Sequence, residues 1–323
     1  MIKILVIRLS SMGDIIHTFP MVKDIKNNIA NCSIDWLVDE NFKEILKYNT
    51  NIDNVVSIPL RNWKKSKLKF IFKFIKWKKS LTNIKYDYII DSQGLLKSAI
   101  LSKCFKGNVY GYSIKSVREK LACIFYKRRI DILDVPLVTI KNRLLSKNIF
   151  NYTIVNSNID FGIAENLKFE FKSFFEFNYI ILFHATSKKD KKYPVNNWIE
   201  IIKFILSNYD YKIILPYGSS VEFIESNNLK NYFNSDNVIV HEKIYNFSEL
   251  YNLIYNSSFV IGVDTGLIHL SNALNKKMIG IYTNTDPNKT GIIESNIAKN
   301  LGNINMIPDS SEVIELFNNI LKI

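Results

Sequence analysis

Glycine is scarce in this chain, 11 of 323 residues, about half of the ordinary usage of roughly 7%. The glycine-rich dinucleotide fingerprint GxGxxG is absent, which argues against ordinary NAD or FAD binding. Cysteine is scarcer still. Cys32, Cys104 and Cys123 are odd in number, far apart and not in a CxxC pair, which argues against a disulfide framework and a zinc site. The four histidines fall in no metal-ligand spacing, so no metal and no cofactor are called for. No stretch approaches 18 uncharged apolar residues, which excludes a transmembrane helix. Met1–Leu9 is apolar but broken by Lys3 and Arg8, with no long apolar region after it, so no secretory signal is read. These absences predict a cytoplasmic protein with reduced thiols.

What is present is a globular composition. Hydrophobic residues make up 47%, which rules out disorder and a collagen-like fibre. The length suggests about two domains. The formal charge is +13, and it is unevenly placed. Residues 61–130 hold 19 Lys/Arg against Asp87, Asp91 and Glu119, a charge of +16. The other 24 basic and 27 acidic residues give −3. One basic segment in a near-neutral chain implies a localised anionic partner.

Short apolar runs alternate with helical periodicity. Strands are predicted at Ile2–Ile7, Ser33–Val38, Asn54–Ile58, Tyr88–Asp91 and Val109–Tyr112. Helices are predicted over Asp14–Ile29, about 63–82 and Val117–Tyr126. After an Asn-rich stretch at 151–158 the alternation restarts. Strands fall at Tyr179–His184, Lys212–Pro216, Val238–Val240, Phe259–Val263 and Met278–Tyr282, with helices between them and a last one at Ser311–Leu321. This pattern reads as parallel sheets covered on both faces. The fold class is therefore α/β, as two doubly wound Rossmann-like domains. The expected division is 1–160 and 170–309, with 310–323 able to pack back on the first domain. In such folds ligands meet the strand-to-helix turns.

Several turns carry chemistry. Ser10–Pro20 follows the first strand. Gly13 permits a close ligand approach, while Asp14 is either a helix cap or a general base facing a cleft. His184–Pro194 offers hydroxyls and lysines suited to a diphosphate, or is a solvated basic loop. Gly262–Leu270 places Asp264, Thr265, Gly266 and His269 where a strand opens a helix, a site for an anion and sugar hydroxyls. Glu222, after Tyr217-Gly218-Ser219-Ser220, suits a ribose or simply the helix dipole. Asp91–Ser98 is a polar turn able to line an acceptor cleft.

Arg61–Lys85 holds ten basic residues and no acid. Leu68, Ile71, Phe72 and Ile75 recur at helical spacing, Lys65, Lys69, Lys73 and Lys76 form a stripe, and Phe70, Phe74 and Trp77 add apolar surface. The arc reads as an interfacial membrane helix or as a core-packed helix with a solvated lysine face. Nucleic acid is set aside, because no binding motif accompanies these aromatics.

Together the clusters resemble the lipopolysaccharide heptosyltransferases of glycosyltransferase family 9. The resemblance rests on Ser10-Ser11-Met12-Gly13-Asp14 with His17-Thr18, Ile34–Glu40, Asp91-Ser92-Gln93-Gly94-Leu95, His184-Ala185-Thr186-Ser187, Val263–Leu267 with His269, and Thr285-Asp286-Pro287. In this order and spacing they are specific. The resemblance implies a GT-B fold, with the two domains facing across a cleft. It implies an inverting, metal-independent transfer from ADP-heptose, with the Kdo sugar of lipid A as acceptor. By family position Asp14 is the base. Thr186, Ser187 and Lys191 hold the diphosphate, Glu222 the ribose, and Asp264, Thr265, Gly266, Leu267 and His269 the heptose–phosphate end. Gly13, Arg61, Lys64, Gln93 and Arg118 stand on the acceptor side. The expected setting is the cytoplasmic face of an anionic inner membrane, with a monomer favoured. The competing expectations are a heptose acceptor, or a basic membrane- or nucleotide-binding module without catalysis.

Overall fold

The structure is a computed structural model that describes every residue except 61, 62, 64–69, 82, 83, 134, 155–158, 164–166, 168–170 and 187. The chain divides into two compact units, Met1–Ala164 and Glu165–Ile323.

The first unit is one parallel sheet of six strands. They are β1 (Ile2–Ile7), β2 (Cys32–Asp39), β3 (Asn54–Ile58), β4 (Lys85–Asp91), β5 (Lys106–Tyr112) and β6 (Arg128–Ile130), in the order β3-β2-β1-β4-β5-β6. Ile4–Ile7 of β1 are all buried, because helices cover both faces of the sheet. That is why the strand reads as an unbroken apolar run. Trp36 of β2 packs edge-on to Phe19 at 5.9 Å, and its indole N–H donates to the Arg8 carbonyl at 3.1 Å.

The helix expected over Asp14–Ile29 is two helices, Met12–Ile16 and Phe19–Asn28. Pro20 has no N–H to continue the first ladder and suits the first turn of the second. The helix Val138–Phe150 was not read from the sequence. It locks onto this pair through Arg143, whose guanidinium donates to both Asp24 oxygens at 2.6 and 3.0 Å. Asn142 adds a bond to the His17 carbonyl at 3.1 Å. The helix expected near Val117–Tyr126 is a 3₁₀ segment, Lys120–Phe125. In the basic segment the described helix is Phe70–Ser80.

The second unit repeats the topology. Its strands are β7 (Tyr179–Phe183), β8 (Lys212–Ile214), β9 (Val238–Ile239), β10 (Phe259–Val263), β11 (Met278–Tyr282) and β12 (Ala298–Gly302), ordered β12-β11-β10-β7-β8-β9 and parallel throughout. The helix Gly266–Ala273 lies close on the sheet because Gly262 has no side chain. A Cβ there would stand 2.7 Å from Ile268 Cγ2 and 2.8 Å from Phe183 Cβ. The closing helix, Ser310–Leu321, packs on the helix Val195–Asn208. It buries Val313, Phe317 and Ile320 in the core with Trp198 and Ile202. Residues 310–323, read from the sequence as able to pack back on the first domain, contribute these three side chains to the second unit's own core.

Candidate active site

Each sheet has the strand order in which ligands meet the carboxyl ends of the strands where the order reverses. In the first unit that point lies between β1 and β4, and in the second between β7 and β10.

At the first switch point, β1 runs into Arg8, Leu9 and the turn to the helix Met12–Ile16. Arg8 is buried. Its guanidinium donates to Asp14 Oδ1 at 2.8 Å and to the Ser92 carbonyl beyond β4. The other Asp14 oxygen accepts from the Ser11 amide at 3.1 Å and the Ser11 hydroxyl at 3.0 Å. Asp14 keeps 24% of its side chain exposed, so this anchored side chain is not sealed from solvent. Burial pushes its pKa up, but Arg8, the two Ser11 donors and His17 outweigh burial and hold it at about 2. The capping reading and the site reading are therefore both present: Asp14 closes a capping box with Ser11 and remains reachable.

Gln93 ties the two strand ends together. Its side-chain oxygen accepts from the Leu9 amide at 3.0 Å, and its amide group donates to the Ser10 carbonyl at 3.3 Å. Beneath it lies Asp91, fully buried, which accepts from the amides of Gln93 and Gly94, from Ser98 Oγ and from the Tyr126 hydroxyl. Burial pushes the Asp91 pKa up despite these four donors. Gly94 takes φ +65°, a left-handed conformation that glycine adopts without strain. A Cβ there would stand 3.6 Å from the Arg118 amide, so the exposed Arg118 stands beside this turn. The geometry brings Gly13, Asp14, Gln93 and Arg118 to one end of one sheet. Arg61 and Lys64 lie outside the described residues.

At the second switch point, Asp264 follows β10. Its carboxylate pairs with Lys191, and its other oxygen lies 3.7 Å from His269 Nε2. Burial raises the Asp264 pKa, but the bonds to His269 and Lys191 prevail and hold it well below the usual carboxylate range. Lys191 is aimed by its neighbour. The Asp190 carbonyl accepts from Thr283 Oγ1 at 3.2 Å, and its carboxylate accepts from Asn284 Nδ2 at 2.9 Å. This fastens the lysine-rich loop to the end of β11.

Thr265 is the N-cap of the helix Gly266–Ala273 without a side-chain capping bond. Its buried hydroxyl has no partner among the described residues. The amides of Gly266 and Leu267 begin that helix, where an anion is favoured. Thr186 is buried just beyond the end of β7, the strand next to β10, and Ser187 lies outside the described residues. Glu222 accepts from the Gly218 amide at 2.7 Å, so one of its oxygens serves its own turn.

Sequence reasoning missed Arg8, which reads only as a charge interrupting an apolar run. It also missed Asp190. A buried basic residue six positions before an acid at a strand end is the signal that could have found Arg8.

A family model described as glycosyltransferase family 9 (heptosyltransferase) matches residues 74–316. The chain belongs to glycosyltransferase family 9. As a family 9 member it is a glycosyltransferase, and its paired six-stranded sheets are those of the GT-B fold expected from the sequence. Lipopolysaccharide heptosyltransferase 1 of Salmonella typhimurium is 30% identical over 292 residues, 90% of each chain. The E. coli heptosyltransferase WaaC with ADP superposes with a TM-score of 0.89 at 27% identity, covering 99% of this chain and 100% of that one. WaaC with ADP-2-deoxy-2-fluoro heptose gives 0.86 at 26% identity, covering 98% and 99%.

Proposed function

We propose that this family 9 enzyme transfers heptose from ADP-heptose, with inversion, to the Kdo sugar of lipid A. The observation that carries the reading is the Asp14 carboxylate, anchored by Arg8 and Ser11 on a side chain that stays partly exposed. It stands in a chain 30% identical to a lipopolysaccharide heptosyltransferase 1.

In this reading the acceptor hydroxyl attacks the anomeric carbon of the heptose as the bond to ADP breaks. The hydroxyl proton goes to Asp14, and the electron pair of the broken bond leaves with ADP. A carboxylate held at about 2 is a weak base but is fully charged at neutral pH. That suffices where the hydroxyl becomes strongly acidic only as its oxygen bonds to carbon.

The second unit supplies charge stabilisation. Lys191, Thr186, Ser187 and the amides at Gly266 and Leu267 receive the diphosphate, with Thr265, Asp264 and His269 at the heptose end and Glu222 at the ribose. Lys191 exchanges its Asp264 partner for the more highly charged diphosphate. Gly13, Gln93, Arg61, Lys64 and Arg118 meet the anionic acceptor. The +16 segment suits an acceptor carried in an anionic inner membrane, approached from the cytoplasm.

The test is product analysis. Incubated with ADP-heptose and Kdo-lipid A, the enzyme yields acceptor heavier by one heptosyl residue, with the anomeric configuration opposite to that of the donor. Unmodified Kdo-lipid A alongside a modified heptose-terminated acceptor would contradict the assigned acceptor.

A further inference from the structure

The basic segment does more than carry charge, because the fold gathers three parts of it on one side of the first sheet. The helix Phe70–Ser80, the helix Leu96–Ser102 and the 3₁₀ segment Lys120–Phe125 direct their inner side chains into a single core. Phe74 and Trp77 come from the first, Ala99 and Leu101 from the second, and Ala122 and Cys123 from the third. Trp77 meets Phe105, just after the second helix, edge-on at 6.4 Å. Segments whose inner faces share one core show their outer faces on the same side.

Those outer faces are apolar to an unusual degree. Ile71, Phe72, Ile75, Ile100, Leu121 and Ile124 are between 46% and 77% exposed. The three segments also carry lysines and no acidic residue. Of the two acids nearest in sequence to the second and third segments, Asp91 is fully buried, and Glu119 stands at the edge of the face, where its carboxylate accepts the Leu96 amide at 2.6 Å. That bond also fixes the end of the face nearest the site. It joins the second and third segments beside Gly94, whose carbonyl accepts the Glu119 amide.

We propose that these three segments form one docking face for an anionic phospholipid bilayer. The chemistry selects this occupant. Isolated Ile, Leu and Phe side chains set among lysines match a surface that is charged at its headgroups and apolar just beneath. A small dissolved anion gains nothing from the apolar residues, and a nucleic acid would find one stacking ring among the six. A second copy of the same face would bring cation against cation. Among the described residues no helix is long and apolar enough to cross a membrane, so the contact is superficial. Each lysine close to an anionic leaflet strengthens binding roughly fivefold, and salt weakens that gain. The inference rests on the proposed lipid-linked acceptor and adds which surface meets the membrane.

Vesicle co-sedimentation tests it, using phosphatidylglycerol–phosphatidylcholine vesicles against phosphatidylcholine alone. The wild type binds the anionic vesicles and loses affinity as salt rises. Two double variants at exposed positions, Phe72→Ser with Ile75→Ser and Leu121→Ser with Ile124→Ser, each weaken binding at least tenfold. Both retain wild-type ADP release with a water-soluble Kdo acceptor, which shows that they fold. Loss in the first pair alone would reduce the face to one amphipathic helix and overturn the proposal. Unchanged binding in both, or equal binding to neutral vesicles, would overturn it too. A wild type that releases no ADP with any acceptor would contradict the functional reading instead, while the vesicle result would still decide the docking face.

Discussion

Arg8 and Asp14, six residues apart, meet at 2.8 Å across the turn that ends β1. The guanidinium is buried and also holds the Ser92 carbonyl, so it couples the ends of β1 and β4 while it anchors the carboxylate. Everything proposed for the acceptor side depends on that carboxylate.

Replacing Asp14 by Asn or Ala lowers turnover at least about a hundredfold, the usual scale of general-base loss. ADP affinity stays unchanged, because the nucleotide contacts proposed here lie in the other unit. Steady-state kinetics paired with ADP calorimetry reads both. Near-wild-type turnover in either variant would remove Asp14 from the reaction.

Arg8 sets when that carboxylate is charged. In Arg8→Gln the opposing cation is gone and the Asp14 pKa rises from about 2. Activity needs the ionised form, so the acid limb of the pH–kcat profile moves to higher pH. Arg8→Lys keeps the charge and restores much of the shift. A limb that stays in place in Arg8→Gln would show that Arg8 only braces the turn.

The same pair makes an acid-stability prediction. The folded-state pKa of Asp14 lies below its ordinary value of 3.8. Its stabilisation, about 2 kcal/mol, is therefore complete above pH 4 and is lost as pH falls towards 2. Denaturant unfolding across that window should show the wild type converging on Asp14→Asn as the pH falls. Parallel curves would contradict the pairing.

The architecture was legible because its strands are buried on both faces. Runs such as Tyr179–Phe183 and Phe259–Val263 are wholly buried, too short for a helix and bounded by polar turns, so they read as strands without ambiguity. Asp14, Gln93, Asp264 and His269 stood out because each follows such a run. Two of the four edge strands escaped notice. Arg128–Ile130 and Ala298–Gly302 are short and largely polar, since one side of an edge strand lacks a partner. The helix Val138–Phe150 escaped because it buries Thr139, Asn142, Arg143 and Ser146, which read as surface residues. Asp190 and the Tyr126 hydroxyl act through contacts over long sequence separations or through loop fastening, and local pattern carries neither. The exposure of Ile100, Leu121 and Ile124 is likewise a property of the packed unit.

Lys191→Ala weakens ADP binding by roughly ten- to a hundredfold, the scale of a charge-assisted bond to an anion in a partly buried site. It also frees Asp264, which then repels the diphosphate. Isothermal calorimetry with ADP reads the change, and unaltered affinity would take Lys191 out of the donor site.

Gly262→Ala destabilises the second unit by about 1–3 kcal/mol, because the new methyl would meet Ile268 and Phe183 at under 3 Å. Thermal unfolding falls by several degrees. An unchanged melting temperature would mean that the helix Gly266–Ala273 shifts freely, and its amides would then be poorly placed to hold an anion.

Heptose transfer to Kdo is tested most directly by the rate of ADP release from ADP-heptose. Measured with the acceptor terminated by Kdo and then by heptose, release should be fast with Kdo and near background with heptose. Equal background with both, or faster release with the heptose-terminated acceptor, would contradict the assignment.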